Sequence, residues 1–417
     1  MLEQVDVVII GGGPAGLAAA IAAKEAGANR VLIIERATRL GGILNQCIHN
    51  GFGLHYLKKE LSGPEYAQYF IDKVQELGIE CLLQTMVLEL TKKREILAVN
   101  REGAHRFQAK SVVLAMGCRE RTRSALNIPG SRAVGIYTAG TAQKFINIDG
   151  YMVGKRTVIV GSGDIGLIMA RRLTLEGAEV AAVVELFPYS SGLQRNIVQC
   201  LDDYGIPLLL SCRVTNILGR ERVSGVVVSD VDERLSPIAG TEREIPCDTV
   251  LFSAGLLPEN ELTREAGITL SPKTGGALVS EDLQTDGAGI FACGNVLHVH
   301  DIVDFVTEEA MRAGKNAALY ALGTFKAGAK RVPLQAGTGV RYTVPSFTDL
   351  ENDLTVSFRV TSVMRDGTIA VYANKKCIFT QRRKVMRPGE MQTITIPKAA
   401  FAGLSMETLS VCAEVLV

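Results

Sequence analysis

The chain has 417 residues, 47% of them hydrophobic, with 42 glycines and a formal net charge of +1. One hydrophobic core organises at most about 250–300 residues, so more than one domain is expected; the near-neutral balance leaves no footprint for nucleic acid or an anionic membrane. No run of ~18 apolar residues could span a bilayer, the start Met1-Leu2-Glu3-Gln4 lacks a signal peptide's positive segment, and nine cysteines without a CxxC or CxxxxC pair point to a reducing cytoplasm.

In chain order, the first element is a β-branched run, Val5-Asp6-Val7-Val8-Ile9-Ile10. A glycine triplet follows, Gly11-Gly12-Gly13-Pro14-Ala15-Gly16, and then an alanine-rich stretch ending near Gly27. A second apolar run, Val31 to Ile34, stops at Glu35, 24 residues after Gly11. This order describes a strand, a tight turn, a helix, a strand and an acid. Each part has a chemical reason. The first glycine makes the turn, the second lets a pyrophosphate approach the backbone, and the third lets helix and strand pack closely. The helix N-terminus presents N–H groups to the phosphates, and the acid accepts bonds from a ribose. Gly41-Gly42 and Cys47-Ile48-His49 come next. Cys47 is either a redox thiol, with His49 as its helper, or a small buried apolar residue. A charged run, Cys118-Arg119-Glu120-Arg121-Thr122-Arg123, reads as a solvated loop or as an anion clamp.

The whole pattern then recurs. Thr157 to Val160 leads into Gly161-Ser162-Gly163-Asp164-Ile165-Gly166, and a helix ends near Gly177. Val180 to Val184 stops at Glu185, again 24 residues after the first glycine. Repetition at identical spacing makes two dinucleotide sites the expected reading, and electrons would pass from one cofactor to the other. Glu185 repels a 2′-phosphate and no Lys or Arg follows it (Leu186-Phe187-Pro188), so the second site favours NAD(H). The residues alone leave FAD and NAD both open at the first site.

Further on, His298-Val299-His300-Asp301 puts two imidazoles on one face of an extended segment, with one carboxylate following. Structural metal sites usually use four ligands, so no metal is expected. Leu322 to Lys330 reads as a linker. Beyond it, Leu354–Val360, Thr368–Tyr372 and Gln392–Ile396 alternate as half-buried strands, with turn signals at Arg365-Asp366-Gly367 and Arg387-Pro388-Gly389.

Over about residues 1–325 the chain resembles the flavoprotein family that includes thioredoxin reductase, the disulfide reductases and NADH oxidases. Val112 to Gly117 resembles its strand leaving the FAD domain, and Thr249 to Gly255 with Pro258 resembles the returning strand. Gly289 to Asn295 is similar to its flavin-contacting motif, with Asn295 where the family usually has an acid. Gly41 to Gly51 and the β-rich end resemble the flavoprotein subunits of multi-component glycerol-3-phosphate, opine and proline dehydrogenases. The resemblance implies FAD at the first site and two nested Rossmann-like domains, followed by a small all-β, sandwich-like domain. The expected boundaries are 1–117 and 256–326 for FAD, 118–255 for NAD(H), and 333–417 for the β domain.

On this reading FAD contacts Gly11, Gly13, Pro14, Ala15, Gly16, Glu35, Arg36, Gly42, Ala115, Gly117, Gly294, Asn295 and Val306. NAD(H) contacts Gly161, Gly163, Asp164, Ile165, Gly166, Glu185 and Gly255. Asp304 would cap a helix, with Thr307 at its third position, whose N-terminus faces the flavin N1–C2=O2 edge. A hydride would pass between nicotinamide and flavin stacked between the two domains. Without a dithiol the electrons need another carrier, a second flavoprotein or an iron–sulfur subunit, and the β domain is the expected docking surface unless it serves as a cap or homo-oligomer contact. The expected function is thus that of a cytoplasmic FAD-dependent, NAD(H)-linked component of a dehydrogenase, working on a small metabolite of the glycerol-3-phosphate or amino-acid type. Its rivals are a stand-alone NADH oxidase or peroxidase using Cys47, and a non-catalytic nucleotide-binding subunit.

Overall fold

A computed structural model describes residues 2–326, 328, 331–404 and 406–415. Ala327, Ala329 and Lys330 of the expected linker, and Ser405, Leu416 and Val417 of the expected β domain, lie outside the described residues. The chain divides into two compact units, Met1–Cys118 with Pro258–Val417, and Arg119–Leu257. The fold is α/β with two Rossmann-like sheets and an all-β part at the C-terminal end. No helix among the described residues is long and apolar enough to cross a membrane.

In the first unit, Glu80–Leu82, Val31–Ile34, Leu2–Ile10 and Gly103–Leu114 run parallel in that order. Such strands are buried on both faces, so they read as continuous apolar runs rather than alternating ones. Ile290–Ala292 adds a parallel strand beside Val112–Leu114, which brings the chain back to the first glycine loop after the second unit has been made. Two helices cover this sheet. Pro14–Glu25 is buried from Ala15 through Ala23, as an almost uniformly apolar helix must be. It packs closely on Val303–Ala321: a Cβ on Gly314 would stand 2.0 Å from the Ala19 carbonyl oxygen, so only glycine admits that approach.

The second unit repeats the plan. Ile136–Thr138, Thr249–Phe252, Arg156–Val160, Glu179–Val184 and Leu208–Leu209 form a five-stranded parallel sheet. A three-stranded antiparallel sheet, Cys212–Gly219, Val223–Asp230 and Arg243–Pro246, completes it.

The C-terminal part has a five-stranded and a three-stranded sheet around a shared apolar core. Leu354–Val360 alternates as expected, with Leu354, Val356, Phe358 and Val360 buried. One expectation fails here. Arg365-Asp366-Gly367 is no turn but lies inside the strand Met364–Ala373, with Asp366 at φ 49°. The reversal comes at Asn374 (φ 54°), a residue whose short amide tolerates that conformation. It leads into Lys376–Met386, an edge strand too polar to show an apolar period. Tyr342 and Val344 of the three-stranded sheet belong to the large core of the first unit.

Candidate functional site

The two glycine loops close in the same way. Gly11 N–H donates to the Ile34 carbonyl (2.9 Å) and Gly161 N–H to the Val184 carbonyl (2.8 Å), each tying the turn to the next strand. Both glycines have positive φ, 107° and 92°. A Cβ would stand 2.4 Å from the Ala115 oxygen in one case and 2.4 Å from the Ser253 oxygen in the other. No side chain but glycine's fits either turn.

The acids repeat as well. Glu35 accepts from Gly12 N–H (2.6 Å) and Ala37 N–H (2.7 Å). Glu185 accepts from Ser162 N–H (2.9 Å), the Ser162 hydroxyl and Phe187 N–H (3.1 Å). Both are buried. In each copy the donors are the residue after the first glycine and the residue two beyond the acid. The carboxylate is therefore oriented before any ribose reaches it.

The helices that follow begin at Gly13 and Gly163, and neither has a side-chain cap. An α-helix leaves its first N–H groups without intrahelical partners, and most helices recruit a Ser, Thr, Asp or Asn oxygen to meet them. In the first copy glycine at the cap leaves the space open, since a Cβ on Gly13 would meet only the Gly42 Cα, at 3.9 Å; in the second, a Cβ on Gly163 would come within 3.1 Å of Ser253. A glycine-capped N-terminus beside an oriented buried carboxylate fits a dinucleotide, the pyrophosphate on the N–H groups and the ribose on the acid. The residues present fit both cofactors. The cradles differ in two side chains: the Ser162 hydroxyl bonds Glu185 where the first copy has Gly12, and Gly166 N–H is held by the Ser253 hydroxyl (2.9 Å) where the first copy has Ala115.

The remaining FAD-assigned residues cluster in the first unit. Pro14 opens its helix, and Gly42 begins a short 3-10 turn against Gly13. Arg36 is exposed, and Gly117 has φ 73°. A Cβ on Gly294 would stand 2.8 Å from the Ala15 Cβ and 3.3 Å from Val306 Cγ1, so that turn lies on the first turn of the phosphate-facing helix. Asn295 is engaged by the protein: its Oδ1 accepts from His300 N–H (3.0 Å) and its Nδ2 donates to Cys118 Sγ (3.6 Å). In the second unit, Ile165 is half-buried and Gly255 has φ 96°. The Asp164 carboxylate faces away from its own helix, accepting from Leu193 N–H (2.8 Å) and Asn196 Nδ2 (2.6 Å).

Two further expectations need correction. Asp304 does not cap its helix: Ile302 occupies that place, and Asp304 sits in the first turn, fully buried. Its carboxylate accepts from Gly53 N–H (3.2 Å) and Tyr56 N–H (2.7 Å), pinning a loop some 250 residues earlier. Thr307 bonds the Tyr66 hydroxyl (2.7 Å) instead of a helix end. The charged run is a solvated loop only in part: Arg119, Arg121 and Thr122 are exposed, but Arg123 and Glu120 turn inward. Arg123 spends its guanidinium on the carbonyls of Ile128, Gly130 and Ser131. Glu120 accepts from Gly140 N–H (2.8 Å), and burial pushes its carboxyl upward.

Cys47 lies at the end of the 3-10 turn with its sulfur 3.3 Å from the Ile43 oxygen. The residue keeps some exposure but the sulfur is enclosed, and burial pushes the thiol up to about 12. Nδ1 of His49, the expected helper, meets the Asn50 carbonyl (3.1 Å).

Sequence reasoning missed Glu309. This buried carboxylate accepts from Gly294 N–H (2.7 Å) and faces Nε2 of His298 (2.8 Å) and of His300 (3.2 Å). Burial works against its charge, but the two imidazoles outweigh it and hold the carboxyl well below its ordinary value. Burial lowers the His298 pKa, against the opposing pull of Glu309.

The model of the pyridine nucleotide-disulphide oxidoreductase family matches residues 5–317. A subunit of the opine oxidase of Agrobacterium tumefaciens (strain Ach5) is 28% identical over 341 residues, 77% of this chain and 66% of its own length. A subunit of the alkyl hydroperoxide reductase of Staphylococcus aureus (strain Mu50 / ATCC 700699) is 27% identical over 326 residues, 76% of this chain and 59% of its own length. The chain thus spans less than two thirds of these curated relatives. Among solved structures, T. acidophilum thioredoxin reductase is similar in fold, with a TM-score of 0.62 at 23% identity, covering 77% of this chain and 99% of that one.

Proposed function

The chain belongs to the pyridine nucleotide-disulphide oxidoreductase family and is an FAD-dependent NAD(P)H oxidoreductase, and we propose that it is the NAD(H)-linked flavoprotein subunit of a multi-component dehydrogenase. The observation that carries this reading is the matched pair of cradles. In each, a helix N-terminus with glycine at the cap position stands beside a carboxylate already oriented by two backbone N–H groups.

In the first cradle, the backbone of Gly11 to Gly16 holds the FAD pyrophosphate and Glu35 the adenosine ribose. Gly42, Ala115, Gly117, Gly294, Asn295 and Val306 would contact the bound FAD further on, and the exposed Arg36 follows Glu35 in the sequence. In the second, Gly161 to Gly166 and Glu185 would hold NAD(H), with Gly255 in the loop that follows the strand Thr249–Phe252. Glu185 supplies negative charge where NADP(H) would bring its phosphate, and this favours NAD(H). When bound, the two cofactors supply the hydride chemistry, and the protein's task is to hold and orient them.

The chain has no CxxC pair, so it lacks the dithiol through which a disulfide reductase passes electrons on. Another carrier must take or give them, and a second flavoprotein or iron–sulfur protein suits that role. Both curated relatives are named as subunits, and one of them is named for the oxidation of an opine. A substrate of the amino-acid or glycerol-3-phosphate type is the corresponding proposal. The stand-alone thiol mechanism is disfavoured: with its thiol at about 12, Cys47 would be only ~10⁻⁵ thiolate at neutral pH.

Anaerobic rapid mixing of the FAD-loaded chain with NADH tests the redox assignment. Loss of flavin absorbance near ~450 nm is the expected result. An unbleached flavin would leave the chain a non-catalytic binding subunit. Co-purification from the native cell then identifies the carrier.

A further inference from the structure

Two histidines two residues apart share one face of an extended segment, a common way to present two imidazoles to one ion. The segment supplies two ligands and the helix Val303–Ala321 brings a third, leaving the fourth place of a tetrahedral site to water or another small ligand. His298, His300 and Glu309 each offer one donor atom, and these atoms lie within 4.8 Å of one another. All three side chains are almost wholly removed from solvent, at 0%, 4% and 7% exposure.

We propose that His298, His300 and Glu309 bind a divalent first-row transition-metal ion, zinc by ligand type, which fastens the loop after the Gly294 turn to that helix. Two imidazoles and a carboxylate suit such an ion better than calcium or magnesium, which prefer oxygen donors. The spacing is close to what coordination requires. Tetrahedral donors at ~2.0–2.2 Å from a metal stand about 3.3 Å apart. His300 Nε2 is already 3.2 Å from Glu309 Oε1 and His298 Nε2 is 2.8 Å from Oε2, so the two imidazole–carboxylate pairs need only small shifts, while the widest donor pair, within 4.8 Å, closes onto the ion. Gly294 N–H donates to the same carboxylate at 2.7 Å, the kind of outer partner that orients a ligating acid.

Charge favours a cation at this point. Glu309 is a buried carboxylate, and the guanidinium of the adjoining network, Arg359, is already paired with Asp301. Both Nδ1 atoms are buried without a hydrogen-bond partner among the described residues. Nothing on that side selects a tautomer, so the Nε2 side alone must select it. The site stands whichever substrate or carrier the protein uses.

The test uses the full-length, tag-free chain. It is equilibrated with zinc, freed of excess by gel filtration, and its metal content is measured by plasma mass spectrometry. One ion per chain is expected, retained in Cys377→Ser, whose exposed thiol is the obvious adventitious ligand. Cobalt substitution should give visible d–d bands. His300→Ala and Glu309→Gln should each weaken binding by more than the ~10–100-fold that loss of an outer partner costs. Less than roughly a tenth of an ion per wild-type chain would overturn the proposal whether or not the variants fold. So would cobalt bands that persist unchanged in both variants.

Discussion

Replacing Glu185 with Gln gives the most direct reading of what the second cradle binds. The carboxylate is 4% exposed and fixed by Ser162 and Phe187 N–H groups, so it cannot swing away from an incoming 2′-phosphate. Two phosphate charges about 5 Å from one carboxylate repel by about 1.7 kcal/mol in bulk water and about 7 kcal/mol at an effective dielectric of 20. A site that is buried yet opens to solvent lies between these limits, and about 3 kcal/mol corresponds to roughly 150-fold discrimination against NADPH. The amide keeps an acceptor for the ribose and for the Ser162 N–H but removes the charge. The ratio of kcat/KM for NADH over NADPH should therefore fall from ~100-fold or more to within ~10-fold. The direction of each component matters more than the ratio. Lost repulsion raises kcat/KM for NADPH, whereas local damage lowers both coenzymes together. A Glu185→Gln enzyme in which NADPH gains nothing would refute the assignment of this carboxylate to the ribose.

Other outcomes follow from the same geometry. Gly16→Ala should abolish FAD retention after gel filtration, because the new Cβ would stand 1.8 Å from the Gly11 carbonyl oxygen inside the cradle. Cys47→Ser should leave NADH turnover with an artificial acceptor unchanged; a loss beyond ~10-fold would restore the thiol mechanism. Glu281 is pushed from 4.5 up to about 8, by burial first and then by Asp349. Between those values the folded chain keeps a proton that the unfolded chain has released, so stability falls as pH rises through the window. The thermal midpoint should accordingly drop from about pH 5 to about pH 8 in wild type and stay flatter in Glu281→Gln, as scanning fluorimetry would record. Arg359→Met should destabilise the first unit by ~3–5 kcal/mol in denaturant titration, because it leaves Asp301 charged and half-partnered, and Asp301→Asn should recover part of that loss.

What could be read without coordinates was local in the chain. A strand, three glycines, a helix and an acid specify a βαβ unit whose own geometry carries Glu35 back to Gly12, 23 residues away. The requirement sits in the backbone, so the residues declare it, and both copies do. Asp304 shows the opposite case. As a polar residue at a helix start it has the features of a cap, but its partners are Gly53 and Tyr56, and no local rule reaches that far. Nothing local in the chain marks Glu309, and only the return of Ile290–Ala292 to the first sheet puts two imidazoles against it. Arg123 was misread because charge clusters usually seek water, while three nearby carbonyls offered a better set of acceptors. The edge strand Lys376–Met386 hid for a related reason, since edges protected by Lys and Arg lose the apolar alternation that marks a strand.

The loop carrying Asn295, His298 and His300 is held from two directions, and this bears on what the C-terminal sheets are for. On one side Glu309 of the helix grips it. On the other, Arg359 of the strand Leu354–Val360 donates to the Val299 carbonyl (3.0 Å) and to Asp301, whose second oxygen accepts from Met391 N–H (2.6 Å). A domain that served only as a tethered docking platform would need no buried ion pair to this segment, and such a pair is costly to desolvate unless its geometry is held. A carrier protein seated on these sheets would thus act on the loop through Arg359 and Asp301 rather than through a flexible linker. Linkage makes the effect reciprocal: if FAD in the first cradle tightens the loop, it must raise the carrier's affinity by the same factor that the carrier raises FAD's. Carrier affinity measured with and without FAD should then differ in wild type and converge in Arg359→Met, and equal affinities in wild type would show that the grip transmits nothing.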